Sequence, residues 1–176
     1  MRLGPLPEDR WDERARAALA ALLPPDRRNP RGAGNAMATL ARHPELTETF
    51  LPFNSRLLLR STLPPRLREL AILRVARRCG CAYEWVHHVK IAARAGLAEA
   101  EIEAAGRGEA TEELRGAALS AVDELADHCN LSDRTWGTLS EHLDERQLMD
   151  LVFTIGAYCL LAMAFNTFGV EPEHER

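Results

Sequence analysis

Cys81, Glu84 and His88 stand three and four residues apart in the segment Cys79-Gly80-Cys81-Ala82-Tyr83-Glu84-Trp85-Val86-His87-His88. On a helix that spacing puts all three on one face. A thiol can act as a nucleophile or be oxidised, and a carboxylate and an imidazole can move protons at neutral pH. At a helix N-terminus, free N–H groups and the helix dipole favour a thiolate, so a lowered Cys81 pKa is expected. Glu69 lies twelve residues before Cys81. A helical hairpin broken at Gly80 would fold it back over the same face. Tyr83 and Trp85 are candidate pocket walls, and Cys79 is a candidate resolving thiol.

Plainer uses of the same residues exist. Cys81 could be an inert buried thiol, and Glu84–His88 an i,i+4 surface pair. His87 points about 100° away from His88 on a helix and reads as a surface or interface residue. Metal-ligand patterns such as Cys-x-x-Cys or His-Glu-x-x-His are absent from the sequence, so neither a metal nor another cofactor is expected. Cys129 and Cys159 sit in apolar helical contexts and read as packing residues.

The elements that must hold these groups are helical. Ala, Leu, Arg and Glu dominate, and β-branched residues are few. Pro64-Pro65 starts a helix that runs to Arg78; Gly80 breaks it, and a second begins near Cys81 and ends at Gly96. Before them, Glu8–Leu23 reads as one amphipathic helix, Asn35 as the cap of a helix that ends near His43, and Pro44 as the start of another. After them, Ser132 and the Asp144–Gln147 capping box start the last two helices. The division expected is an N-terminal helix and loop over residues 1–34 packing on a helical domain over 35–176. Leu67-x-Glu69-Leu70 echoes Leu148-x-Asp150-Leu151, a sign of two duplicated helical halves.

The formal charge of −4 gives no electrostatic reason to expect a nucleic-acid partner. The uncharged run from Leu151 to Val170 is long enough for a bilayer. Thr154, Asn166 and Thr167, with Gly156 and Gly169, favour a core or subunit-interface helix instead, so no membrane partner is expected. The few cysteines and the lack of a signal-like start point to the cytoplasm.

Arg68-Glu69-Leu70-Ala71-Ile72-Leu73, Cys81-x-Tyr83-Glu84-Trp85-x-x-His88, Ala95-Gly96-Leu97 and Glu101-Ile102 together resemble the carboxymuconolactone decarboxylase/alkylhydroperoxidase-D superfamily. The resemblance implies an all-α, alkylhydroperoxidase-D-like fold and a homo-oligomer: a trimer, hexamer or dimer. It also implies roles. Glu69 matches that family's glutamate, Cys81 its first cysteine and His88 its histidine, while Glu84 stands where the alkylhydroperoxidase branch has a second cysteine.

Three functions follow as expectations. The first is a thiol-dependent peroxidase in which a small hydroperoxide oxidises Cys81 and Glu69 and His88 relay protons. The second is a cofactor-free acid–base enzyme acting on a small carboxylate or lactone through Glu84 and His88, with an arginine such as Arg74 as carboxylate clamp. The third is a ligand-binding oligomer without catalysis.

Overall fold

The computed structural model describes residues 2–173 as an all-α fold, and no strand occurs among them. Two compact units are present: Ser61–Met163, which carries every candidate site residue, and the chain outside it.

In the unit outside Ser61–Met163 the helices are α1 (Glu13–Ala18), α2 (Gly34–Leu40) and α3 (Pro44–Leu59). Trp11, Leu19 and Leu51 are in its core. The single helix expected over Glu8–Leu23 is broken. A 3-10 turn, Glu8–Arg10, comes first, and the Asp12 side chain then caps α1 by accepting from the Ala15 amide at 2.8 Å. A short carboxylate that satisfies free amides starts a helix where it stands, which periodicity alone does not reveal. Asn35 is likewise inside α2, whose cap is Ala33. Pro44 does occupy the first turn of α3, where its missing N–H costs nothing.

The Ser61–Met163 unit holds α4 (Pro65–Arg78), α5 (Ala82–Arg94), α6 (Glu99–Arg107), α7 (Glu113–His128), α8 (Asp133–His142) and α9 (Glu145–Phe168) up to Met163. Helix α4 is its axis. Leu67, Leu70, Ala71, Ile72, Leu73 and Val75 are all buried, so apolar residues cover nearly its whole circumference. It packs against α5, α6 and α7. Each such large side chain contributes about 1.5–3 kcal/mol when withdrawn from water.

The α4–α5 turn positions the chemistry. Gly80 adopts φ +61°, open to glycine and strained for other residues. The Cys81 amide then donates to the Ala76 carbonyl at 2.8 Å and the Gly80 amide to Arg77 at 3.2 Å. These two bonds form a Schellman motif. Cys81 therefore closes α4 and, as N-cap, opens α5.

Helix α9 begins at the expected box: the Asp144 amide donates to Gln147 Oε1 at 3.0 Å and the Gln147 amide to Asp144 Oδ1 at 2.8 Å. Leu151, Ile155 and Tyr158 enter the same core as Ile72 and Val75 of α4 and Val122 of α7. Met149, Leu160 and Met163 are exposed on the other side. It is the one helix among the described residues long and apolar enough to cross a membrane. The sequence echo between α4 and α9 divides in use: Glu69 is buried at the candidate site, whereas Asp150 holds the turn before α4 by accepting from the Thr62 amide at 2.6 Å.

Candidate active site

Glu69, Cys81, Glu84 and His88 are all buried, with relative exposures of 0, 1, 2 and 6%. The α4–α5 hairpin brings Glu69 to His88, whose Nδ1 lies 2.7 Å from Glu69 Oε2. The Arg68 Nε donates to Glu69 Oε1 at 3.0 Å. Glu69 is therefore a carboxylate held between a guanidinium and an imidazole. A carboxylate only accepts, so in this contact His88 Nδ1 is the donor. Tyr158 of α9 meets the His88 ring edge-on, with centroids 4.9 Å apart. Arg68 and Tyr158 were not singled out by the sequence. Arg68 stands beside Glu69, a usable signal, whereas nothing in the uniform apolar run of α9 marks Tyr158.

Cys81 and Glu84 form the other half. Neither Glu84 carboxyl oxygen has a hydrogen-bond partner of good geometry. The polar group that interacts with it is the neighbouring Cys81 thiol. Burial pushes the Glu84 carboxyl up to about 8. Burial also pushes the Cys81 thiol up to about 12, and the neighbouring Glu84 charge adds to it. The lowered thiol pKa expected at a helix N-terminus is thus reversed. Desolvation outweighs the helix dipole here because the thiol is almost wholly out of water.

A small pocket of about 210 Å³ reaches Cys81, lined by Ala76, Arg77, Gly80, Ala82, Trp85 and Val86 as well. Trp85 is a wall, and the Arg77 guanidinium lies 3.7 Å above its ring. Tyr83 is not among the walls; it stacks on His87 with centroids 4.2 Å apart. Arg74 is committed elsewhere. It grips Asp123 through Nε at 2.9 Å and Nη2 at 3.0 Å and gives Nη1 to the Gly106 carbonyl at 2.7 Å, so it is no substrate clamp. Cys129 is exposed at the end of α7 rather than packed. Cys79 and Cys159 are both half-buried, and their thiols meet.

The wall rests on a glycine. A Cβ at Gly106 would come within 2.9 Å of Trp85 Cη2 and 3.3 Å of Arg77 Nε. Gly106→Ala is expected to push the indole toward the pocket and to destabilise the fold by about 1–3 kcal/mol. Tryptophan emission and a denaturant titration would check it; an unshifted emission maximum with unchanged stability would show that the ring is not seated there.

Residues 44–127 match the model of the carboxymuconolactone decarboxylase family. Over that segment the chain matches the carboxymuconolactone decarboxylase family, in line with the resemblance read from the sequence. Solved structures share the fold. A peroxidase-related protein with an alkylhydroperoxidase AhpD core from Ralstonia eutropha JMP134 is 18% identical, with a TM-score of 0.75 over 98% of this chain and 94% of that one. A cysteine-to-alanine form of the debrominase Bmp8 in complex with 2,3,4-tribromopyrrole is 17% identical, with a TM-score of 0.72 over 98% and 92%. A protein of unknown function from Agrobacterium tumefaciens, linked by its name to AhpD antioxidant defence, is 24% identical, with a TM-score of 0.68 over 76% and 94%. A search of curated proteins gives no match. On this fold, then, four buried polar groups fall into two pairs, Glu69–His88 and Cys81–Glu84.

Proposed function

We propose that this chain is a thiol-dependent peroxidase of the alkylhydroperoxidase-D-like type, with Cys81 as the redox thiol. The observation that carries the reading is the unpartnered Glu84 carboxyl facing the Cys81 thiol beside a pocket of about 210 Å³. A buried carboxyl without a partner is costly to keep. A role as proton acceptor for the thiol accounts for it.

Glu84 takes the thiol proton, and the negative charge that helps lift the Cys81 pKa disappears in the same step. The thiolate attacks the distal oxygen of a hydroperoxide and the O–O bond breaks. Cys81 becomes a sulfenic acid, and the alkoxide leaves with the proton from Glu84 as an alcohol. The step leaves no proton over, and the Glu69–His88 pair, one helical turn from Glu84, relays protons when the oxidised thiol is later reduced. The names of the similar folds, peroxidase-related and debrominase, agree with chemistry at such a site.

Because Glu84 must be ionised to accept a proton, Cys81 oxidation should speed up as pH rises through about 8. Cys81→Ser should abolish hydroperoxide consumption, a fall of at least ~10³-fold, with the fold retained. Stopped-flow peroxide consumption with mass spectrometry of the protein tests both. Turnover surviving in Cys81→Ser, or no oxidised sulfur at Cys81 in the unsubstituted protein, would end the reading. The acid–base reading on a small lactone has the raised Glu84 carboxyl in its favour, and turnover in Cys81→Ser that is lost in Glu84→Gln would select it.

A further inference from the structure

Cys81 is 1% exposed, whereas Cys79 and Cys159 are only half-buried. A protein-sized reductant cannot enter the pocket of about 210 Å³ at whose floor the oxidised sulfur would lie. The oxidising equivalent must be carried outward, and the geometry supplies a route. Cys79 is the C-cap of α4, two residues before Cys81, across the Gly80 turn. Its thiol meets that of Cys159 on α9. Both sulfurs border the core cluster that fixes α9 against α4 through Ile72, Val75, Ile155 and Tyr158. The same turn of α9 thus places Tyr158 against His88 and Cys159 against Cys79. Glu84 acts electrostatically on all three thiols.

We propose that Cys79 and Cys159 form a two-thiol exit that passes the oxidation of Cys81 to the surface of the Ser61–Met163 unit, in place of the second cysteine that Glu84 replaces. The proposal rests on the peroxidase reading above. In the first step the Cys79 sulfur attacks the Cys81 sulfenic sulfur; the S–O bond breaks, water leaves and a Cys79–Cys81 disulfide forms. In the second, the Cys159 thiolate attacks the Cys79 sulfur. Cys81 departs as thiolate and takes the proton that Cys159 gave up. The product is a Cys79–Cys159 disulfide, with Cys81 ready for another hydroperoxide. An external dithiol then reduces that disulfide and is itself oxidised, so one hydroperoxide consumes two thiols and yields one alcohol and one water. The middle disulfide spans a single residue and is strained, which favours its exchange onward.

The experiment uses the full chain, reduced, desalted and treated with one equivalent of tert-butyl hydroperoxide. Free thiols are then alkylated and the peptides mapped by mass spectrometry without reduction. The unsubstituted protein is expected to show Cys79 joined to Cys159 with Cys81 alkylated. Cys159→Ser is expected to stop at Cys79–Cys81 and to lose tenfold or more in multiple turnover with a reduced thioredoxin-type protein dithiol. Cys79→Ser is expected to accumulate Cys81 sulfenic acid, trapped by dimedone. Oxidation of Cys81 with Cys159 still alkylated in the unsubstituted protein would overturn the exit and leave the peroxidase reading standing. Absence of any oxidation at Cys81, in that protein and in Cys79→Ser, would overturn both. The mapping of the unsubstituted protein decides the matter even if a variant fails to fold.

Discussion

Glu84→Gln is expected to slow Cys81 oxidation by ~10²-fold or more, the scale of a lost general base, while making the fold more stable in alkaline solution. The two effects have one cause. Burial holds the Glu84 carboxyl at about 8 in the folded protein, whereas an unfolded glutamate titrates near ~4.3. Between those values the folded state keeps a proton that the unfolded state has released. The unfolded state therefore gains relative stability as pH rises, and the fold loses stability from about pH 4 to 8. At about 1.4 kcal/mol per pH unit the total is of order several kcal/mol. Glutamine does not titrate and should flatten that slope. Below pH 5 the order should invert, because a buried unpaired amide costs about 1–3 kcal/mol. Melting temperatures followed from pH 4 to 9 should cross, with a shift of ~2–4 °C for each kcal/mol. Parallel curves would show that Glu84 does not titrate as its burial demands.

Glu69→Ala carries the second large effect, and it falls on stability. Removing the carboxylate strands the Arg68 guanidinium, whose side chain is 11% exposed, and leaves the His88 Nδ1–H without its acceptor at 2.7 Å. Breaking a buried ion pair by deleting one member costs about 3–5 kcal/mol. The midpoint of thermal unfolding should drop by ~6–20 °C. Glu69→Gln keeps an acceptor oxygen for His88 while dropping the charge opposite Arg68. It should recover part of the stability, and urea titration of the two variants measures the difference. Equal stability of Glu69→Ala and the unsubstituted protein would mean that the pair does not hold α4 to α5.

The hairpin that builds the site could be read from residue types. Pro65 and Gly80 mark the ends of α4, and an apolar pattern on nearly every side of it means burial. Glu69 was found through its spacing from Cys81 in the family resemblance, and the structure seats it on His88. The state of the thiol could not be read in the same way. A dipole at a helix N-terminus is worth at most ~2 kcal/mol. Lifting a thiol to about 12 by burial amounts to about 4 kcal/mol in the other direction, and depth of burial belongs to the packed fold. Tyr158 and Cys159 were hidden for a related reason. Along a helix as uniformly apolar as α9, side-chain type does not say which residues turn toward α4. The break at Asp12 is the reverse case, a local cap that overrides an otherwise continuous periodic pattern.

The turn at Gly80 has a consequence for the order in which the molecule assembles. Glu69, Cys81, Glu84 and His88 all lie on two consecutive helices, so their contacts close a short loop and carry little chain entropy. Such local contacts form quickly. Cys159 reaches Cys79 only after α6, α7 and α8 have been laid down between them, a far more distant closure. During synthesis on the ribosome the proton-handling pairs would therefore precede the sulfur that empties them. A nascent chain met by an oxidising burst would stop at the Cys79–Cys81 disulfide, with no Cys159 yet in place to take it over, and early oxidation should concentrate at that turn.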